Sequence, residues 1–486
     1  MGKDYNVEIK HKILKDFEVN RLYKSINNTY KCSDLQLYFP YIQYFGDYDN
    51  IILKSKFSLL KIHKKKYKEN LHGTICYCEL LNNQNKEIFG RNIYIKEVPI
   101  LSLDNYIKIY NLSINKCNPL VPNNSFNLIN NNVNSITNSA YIDVFCTYLC
   151  SLLVEQKKTP HFPLYYGTFT SIMDKFTVEL HDDEEIEKYE HEINNNVFKH
   201  FRKVKYFEDD KESEDTRTSN KNKHKNSINS SKSNNSHESL KEDNTDFIET
   251  NKYPVQFLCS EILDGDLFNL KIREEKATDE EWLSYLFQTI SALTVAQRYY
   301  KLYNNDLHSS NVMYKNTDRE YLYYKTSNNR FYKVPTFGRI IKIIDWGRST
   351  FKFDNHSVKN NIFNSDGICF SQYIYDIFKK NKKDPVDPNP SMDLSLLASD
   401  LLNEEESTNI PLNKSHTKNL LREFLKDRQN NYIDFFDDES FDTYIRCARD
   451  ACNAVPKNQF SKNCFKMFSV NPKHIPKNEI IYPIPN

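Results

Sequence analysis

Residues Tyr303 to Met313 read YNNDLHSSNVM, and further along the chain Ile343 to Gly347 read IIDWG. The first is a polar loop after a long helical stretch, in which a carboxylate, Asp306, precedes a carboxamide, Asn311. A carboxylate there can orient a nucleophilic hydroxyl and accept its proton, and the amide oxygen can ligate Mg²⁺. The second is an apolar run that predicts a buried strand ending in an acid, Asp345, beside a glycine. Such an acid can chelate the metal that bridges nucleotide phosphates. Alone, a loop carboxylate is usually a turn former and a strand-end Asp a cap. In this order and at this separation the two segments point to phosphoryl transfer.

The surrounding sequence predicts an α+β protein. Gly73 to Leu81 and Asn92 to Val98 are β-branched and aromatic runs that read as paired strands, and Tyr253 to Leu263 reads as another. Between Asn138 and Gln156, Tyr141, Phe145, Tyr148, Leu149 and Leu152 fall at helical spacing. Thr278 with Glu281 forms a capping box before a helix whose Trp282, Leu286, Ile290 and Leu293 share one face. From Met392 onward the pattern is mostly helical, so a sheet-rich half precedes a helical half. Glu208 to Asp246 holds almost no large apolar residues and predicts a disordered insertion, and Asn115 to Asn134 reads as a smaller loop.

Composition narrows the function classes. Lys+Arg 66 against Asp+Glu 65 gives a net charge of +1, which excludes a global field for nucleic acid. No apolar run is long enough to span a bilayer. The 11 cysteines are scattered, as expected of reduced thiols in a cytosol-like compartment. Cys76 and Cys78 are either half of a zinc site or neighbours on one buried strand face.

The loop and strand-end motifs resemble the catalytic loop and metal-binding segment of the protein-kinase superfamily, with Trp346 in place of the usual Phe. The resemblance runs in chain order from about Gly73 to Phe468. It implies a bilobal fold: an N-terminal extension over residues 1–70 packing on the N-lobe, a β-rich N-lobe over 71–263 carrying the 208–246 insertion, and a helical C-lobe over 264–486. It implies that Lys96 clamps the nucleotide phosphates, that backbone groups of Glu261 and Leu263 receive adenine, and that Asp393 braces the catalytic loop. Asp306 would be the base, with Asn311 and Asp345 as the Mg²⁺ ligands.

NNDLHSSNVMY, CNAVPKNQFSKNCFKMF and the stretch from Asn138 to Gly167 resemble serine/threonine kinases of nucleocytoplasmic large DNA viruses. That likeness implies ATP and Mg²⁺ as cofactors and protein substrates, virion proteins among them. It also implies a location in the host-cell cytoplasm, with packaging into virions. Several departures bear on activity. No GxGxxG precedes the first strands, and only Gly73 remains of such a loop. Asp143 stands where the superfamily has a Glu partner for the strand lysine, and is either that partner or an ordinary first-turn Asp stabilised by the helix dipole. His308 replaces a Lys, either to donate to the γ-phosphate or to bond the loop itself. A small-molecule phosphotransferase and a pseudokinase scaffold are the competing readings.

Overall fold

Alternating apolar residues bury one side of a strand, and the first half of the chain is rich in such runs. In the computed structural model, residues 11–37, 41, 51–111, 133, 135–180, 183–205, 243–272, 277–353, 356–364, 367, 369, 372, 388–402, 415–433 and 442–486 are described. Seven of the strands build one antiparallel sheet. From edge to edge they are Cys32–Gln36, Tyr165–Leu180, Asp243–Ser260, Ile88–Pro99, Gly73–Asn82 and Phe57–Asn70, and Lys199–Lys205 adds beside the start of Asp243–Ser260. Gly73 pairs with Lys96, and Lys96 with Leu258.

The period of two gives the Ile88–Pro99 strand two different faces. Ile93 and Ile95 are fully buried beside Cys76 and Cys78, in a cluster shared with Leu22, Ile26 and Tyr30 of the Asp16–Tyr30 helix. The two sulfurs therefore line one strand face among apolar side chains. Lys96 alternates to the opposite face, as does Val98, which packs against the second apolar cluster.

That second cluster is built on two helices. Asn138 caps Ser139–Glu155 by accepting the Ala140 amide at 3.0 Å, and every residue from Ala140 to Leu153 is buried. Tyr41 stacks on its Phe145 at 4.2 Å; the rest of the aromatic Tyr38–Tyr48 stretch lies outside the described residues. Thr278 caps Asp279–Tyr300, accepting the Glu281 amide at 3.1 Å. The Glu281 carboxylate does not reach back as a capping box would; it accepts from the Tyr285 hydroxyl at 2.6 Å and faces Arg339 at 3.2 Å. Nor is the apolar face of this helix single: Trp282 to Ala296 are buried on all sides, because the helix is wrapped by later elements.

The fold is mixed α/β with a large antiparallel sheet, and it corrects four expectations. The boundary at residue 70 cuts a hairpin, because Phe57–Asn70 is the edge strand paired with Gly73–Asn82. Its second half is exposed and lysine-rich, so no alternation marks it. The insertion ends earlier than Asp246, since Asp243–Ser260 is one strand and Asp246 is buried against Arg202 and His200. Residues 208–242, like most of 115–134, lie outside the described residues. The Tyr253–Leu263 strand stops at Ser260. The second half is not purely helical either: Tyr321–Thr326 pairs with Phe331–Pro335 and, in parallel, with Ile481–Ile484. No helix among the described residues is long and apolar enough to cross a membrane.

Candidate active site

Lys96 leaves its strand between two carboxylates. Its Nζ lies 2.8 Å from Asp143 Oδ2 and 3.2 Å from Asp345 Oδ1. Asp143 is one methylene shorter than Glu, yet it reaches Lys96 directly because the helix N-terminus lies close. Ser139 Oγ at that end donates to Gly347 O at 2.5 Å. Asp143 Oδ1 accepts the Trp346 amide at 2.9 Å, so one carboxylate ties strand, helix and the IIDWG segment together. Burial works to lower the Lys96 pKa, but the charges of Asp143 and Asp345 outweigh it and hold the ammonium above its ordinary value. Burial likewise acts to raise Asp345, and Lys96 overrides it to keep the carboxyl below its ordinary range.

Asp345 has φ 59°, a left-handed conformation uncommon outside glycine and a mark of a segment fixed by its surroundings. Those surroundings are the loop. Asn304 Nδ2 donates to Asp345 O at 2.7 Å, and Asn305 Nδ2 to Arg348 O at 3.0 Å. Asn305 is itself left-handed at φ 66°, which asparagine tolerates better than most residues. The two asparagines thus join the loop to the segment that carries Asp345.

The Met392–Leu402 helix clamps the loop from beneath. Asp393, fully buried, accepts the amides of Asn304 at 3.1 Å and Asn305 at 2.9 Å. Two turns on, Asp400 accepts the Ser309 amide at 2.5 Å and pairs with the buried Lys271 at 2.6 Å. Burial pushes Asp393 up to about 6, against the two amide bonds, which lower it. Between the usual carboxylate value and about 6 the folded chain holds a proton that the unfolded chain has released. Its contribution to stability is therefore present at low pH and lost as pH rises through 6. At neutral pH both oxygens are free to accept. Asp393→Ala would orphan both amides; at about 1–3 kcal/mol per buried unpaired group, a loss of about 2–6 kcal/mol is expected in urea denaturation. An unfolding midpoint equal to the parent's would remove the clamp.

Asp306 Oδ1 accepts from the Tyr444 hydroxyl at 2.6 Å and faces Arg348 Nη1 at 3.2 Å. Burial raises its pKa, with Arg348 and Tyr444 pulling the other way. Ile344 N–H bonds Asn311 O at 3.1 Å and Val312 pairs with Ile343, so the backbones leading to Asn311 and Asp345 run side by side. Asn311 Nδ2 donates to Asp306 O at 3.0 Å and lies 3.0 Å from His308 Nε2. A carbonyl only accepts, so the amide nitrogen faces the loop and Oδ1 is turned away from it. His308 Nε2 is then an acceptor from Asn311. In the structure that nitrogen of His308 is engaged by its own loop.

Glu261 and Leu263 lie after the Asp243–Ser260 strand in a stretch with no regular structure. Among the described residues, neither the Glu261 carbonyl nor the Leu263 amide takes part in a hydrogen bond. The Glu261 side chain turns inward instead, accepting from Leu164 N at 3.2 Å and facing buried Lys342 at 3.3 Å. That bridge fastens the strand end and turns the Glu261 carboxylate away from solvent.

The structure thus gathers Lys96, Asp143 and Asp345 at one point and Asp306, His308 and Asn311 on the adjoining loop, with Glu261 and Leu263 at the strand exit. Sequence reasoning missed Asp400, although its seven-residue spacing from Asp393 puts both on one helix face. It also missed Arg348 and Tyr444. Among the described residues no group of three or more His, Cys, Asp or Glu could hold a metal by protein ligands alone. One carboxylate and one amide oxygen do fit Mg²⁺, which keeps several waters and shares its shell with phosphates. No protein-family model and no curated protein matches this chain.

Proposed function

We propose that the chain is an ATP- and Mg²⁺-dependent protein kinase of bilobal fold that phosphorylates Ser/Thr hydroxyls. The observation that carries this reading is the Lys96 ammonium held by Asp143 and Asp345 at 2.8 and 3.2 Å, beside a loop presenting Asp306 and Asn311. Phosphoryl transfer asks the protein for positioning and charge, and this set supplies both. The order of the elements supports it too. Three sequential strands of the sheet, from Phe57 to Pro99, precede the Ser139–Glu155 helix, and Tyr165–Leu180, Lys199–Lys205 and Asp243–Ser260 of the same sheet follow before the loop.

In this reading Lys96 binds the phosphates, oriented by Asp143. Asn311 and Asp345 hold Mg²⁺, which when bound neutralises charge between the phosphates. Asp306 orients the acceptor hydroxyl and takes its proton. The backbone of Glu261 and Leu263 receives adenine. The likeness to viral kinases supports virion proteins as substrates and a site of action in the host-cell cytoplasm or the virion.

One observation favours a catalytically silent scaffold instead. Gly73 is the only glycine of the Phe57–Asn82 hairpin, and a Cβ there would meet the Tyr94 ring, so this glycine serves packing rather than phosphate approach. The test is mass-spectrometric detection of phosphate transferred from ATP to a generic protein panel, run beside a panel of alcohols and aminoglycosides. Protein Ser/Thr modification is expected. Transfer to small alcohols alone would reassign the substrate, and no transfer to anything would leave the scaffold.

A further inference from the structure

One carboxylate oxygen of Asp306 is already engaged by the chain itself. Tyr444 sits on the Asp442–Asp450 helix, far from Asp306 in sequence, and its hydroxyl donates to Asp306 Oδ1 at 2.6 Å. A substrate hydroxyl must come within about 2.6–3.2 Å of this carboxylate before its proton can pass. Tyr444 makes that same bond. Arg348 closes the arrangement: its Nη1 is 3.2 Å from the same oxygen, and its guanidinium carbon is 5.4 Å from the Tyr444 ring centroid. One carboxylate oxygen therefore meets two donors, and one of them is a hydroxyl.

The helix that carries Tyr444 is fastened at its other end. Asn389 Nδ2 donates to the carbonyls of Cys447, Ala448 and Ala451 at 3.2, 3.1 and 2.7 Å. Cys447 and Ala448 are buried against the main core. Tyr444, nearer the N-terminus of the helix, is only partly buried. Releasing Tyr444 would free the leading turn while Asn389 keeps the last turn in place.

We propose that Tyr444 is a built-in occupant of the acceptor position, so that the Asp442–Asp450 helix bars protein hydroxyls from Asp306 until its leading turn withdraws. This rests on the phosphotransferase reading above and adds to it a means of restraint. The contact is made at Asp306, which leaves nucleotide to Lys96, paired with Asp143 and Asp345, and to Asn311, whose Nδ2 donates to the Asp306 carbonyl. The block is specific to the second substrate.

The test uses the full chain with Tyr444→Phe, which keeps the ring, and Tyr444→Ala, which removes it. Transfer from ATP to dephosphorylated casein is measured below saturation in casein, beside the thermal shift given by ATP with Mg²⁺. The expected result is a rise in transfer of roughly 10- to 100-fold in Tyr444→Phe, the scale of one hydrogen bond to a charged acceptor, with the nucleotide shift unchanged. Tyr444→Ala is expected to rise at least as far, through a lower KM for casein. Equal or slower transfer in both folded variants, with the nucleotide shift retained, overturns the block. Phosphate found on Tyr444 of the parent overturns it as well, since the residue would then be a substrate and not a barrier. If the parent shows no nucleotide shift at all, the phosphotransferase reading fails and takes this inference with it, an outcome distinct from the other two.

Discussion

Asp306→Asn is expected to fold as the parent does and to transfer phosphate roughly two to four orders of magnitude more slowly, the scale of a positioned acid or base. The replacement keeps the shape and most contacts. Asn304 Oδ1 still accepts the residue-306 amide at 3.1 Å, and the residue-306 carbonyl still accepts from Asn311 at 3.0 Å. The Tyr444 hydroxyl can still donate to the amide oxygen. What disappears is the negative charge, which burial already disfavours and Arg348 sustains. Stability should therefore change little, because the arginine left behind is 31% exposed and can turn to water. The measurement is single-turnover transfer with ATP and Mg²⁺ in excess. A rate equal to the parent's in a well-folded variant would take Asp306 out of the mechanism.

Much of this site was legible because its residues sit at points that local sequence marks. Lys96 falls in an alternating strand and Asp345 at the end of an apolar run, while Asp143 follows a polar cap at the start of a helix. Local rules fix the face or the end on which each residue lies, and the sheet register then brings them together. The direction in which a side chain turns is another matter. Glu261 reads as a hinge residue, yet its carboxylate bonds Lys342, a buried lysine that a period-two pattern would assign to solvent or leave unexplained. His308 reads as a phosphate donor by spacing alone, and the competing acceptor role appears only once Asn311 is seen beside it.

The edges of the fold escaped for a different reason. Lys61 to Lys68 form the outer half of an edge strand whose side chains are mostly exposed, so there is no alternation to read. Tyr444 was beyond reach altogether, because nothing in DTYIRCARD distinguishes a tyrosine that meets Asp306 from one that meets water. Contacts made by residues far apart in the chain leave no local trace unless they fix a periodicity.

The second large effect is expected in nucleotide binding. ATP and Mg²⁺ together should raise the melting temperature by more than the sum of their separate shifts, and Asp345→Ala should lose that excess. A ligand that binds only the folded chain stabilises it by mass action, about 2.7 kcal/mol at a hundredfold excess over Kd. Mg²⁺ alone would meet one carboxylate and one amide oxygen, too few for its octahedral shell, so its own shift should be small. ATP alone brings phosphate charge toward Asp345 and Asp306, with Lys96 already shared between Asp143 and Asp345. Asp345 and Asn311 would hold Mg²⁺, whose charge would offset that repulsion, and this is the origin of the excess. Asp345→Ala removes the ligand and also releases Lys96 from one of its two acids. Two opposite changes follow from one substitution: the shift with ATP alone should hold or grow, and the increment added by Mg²⁺ should vanish. A parent whose ATP shift is indifferent to chelator would show that Asp345 holds Lys96 for structure alone, since a carboxylate that bound metal could not leave the nucleotide unaffected by its removal.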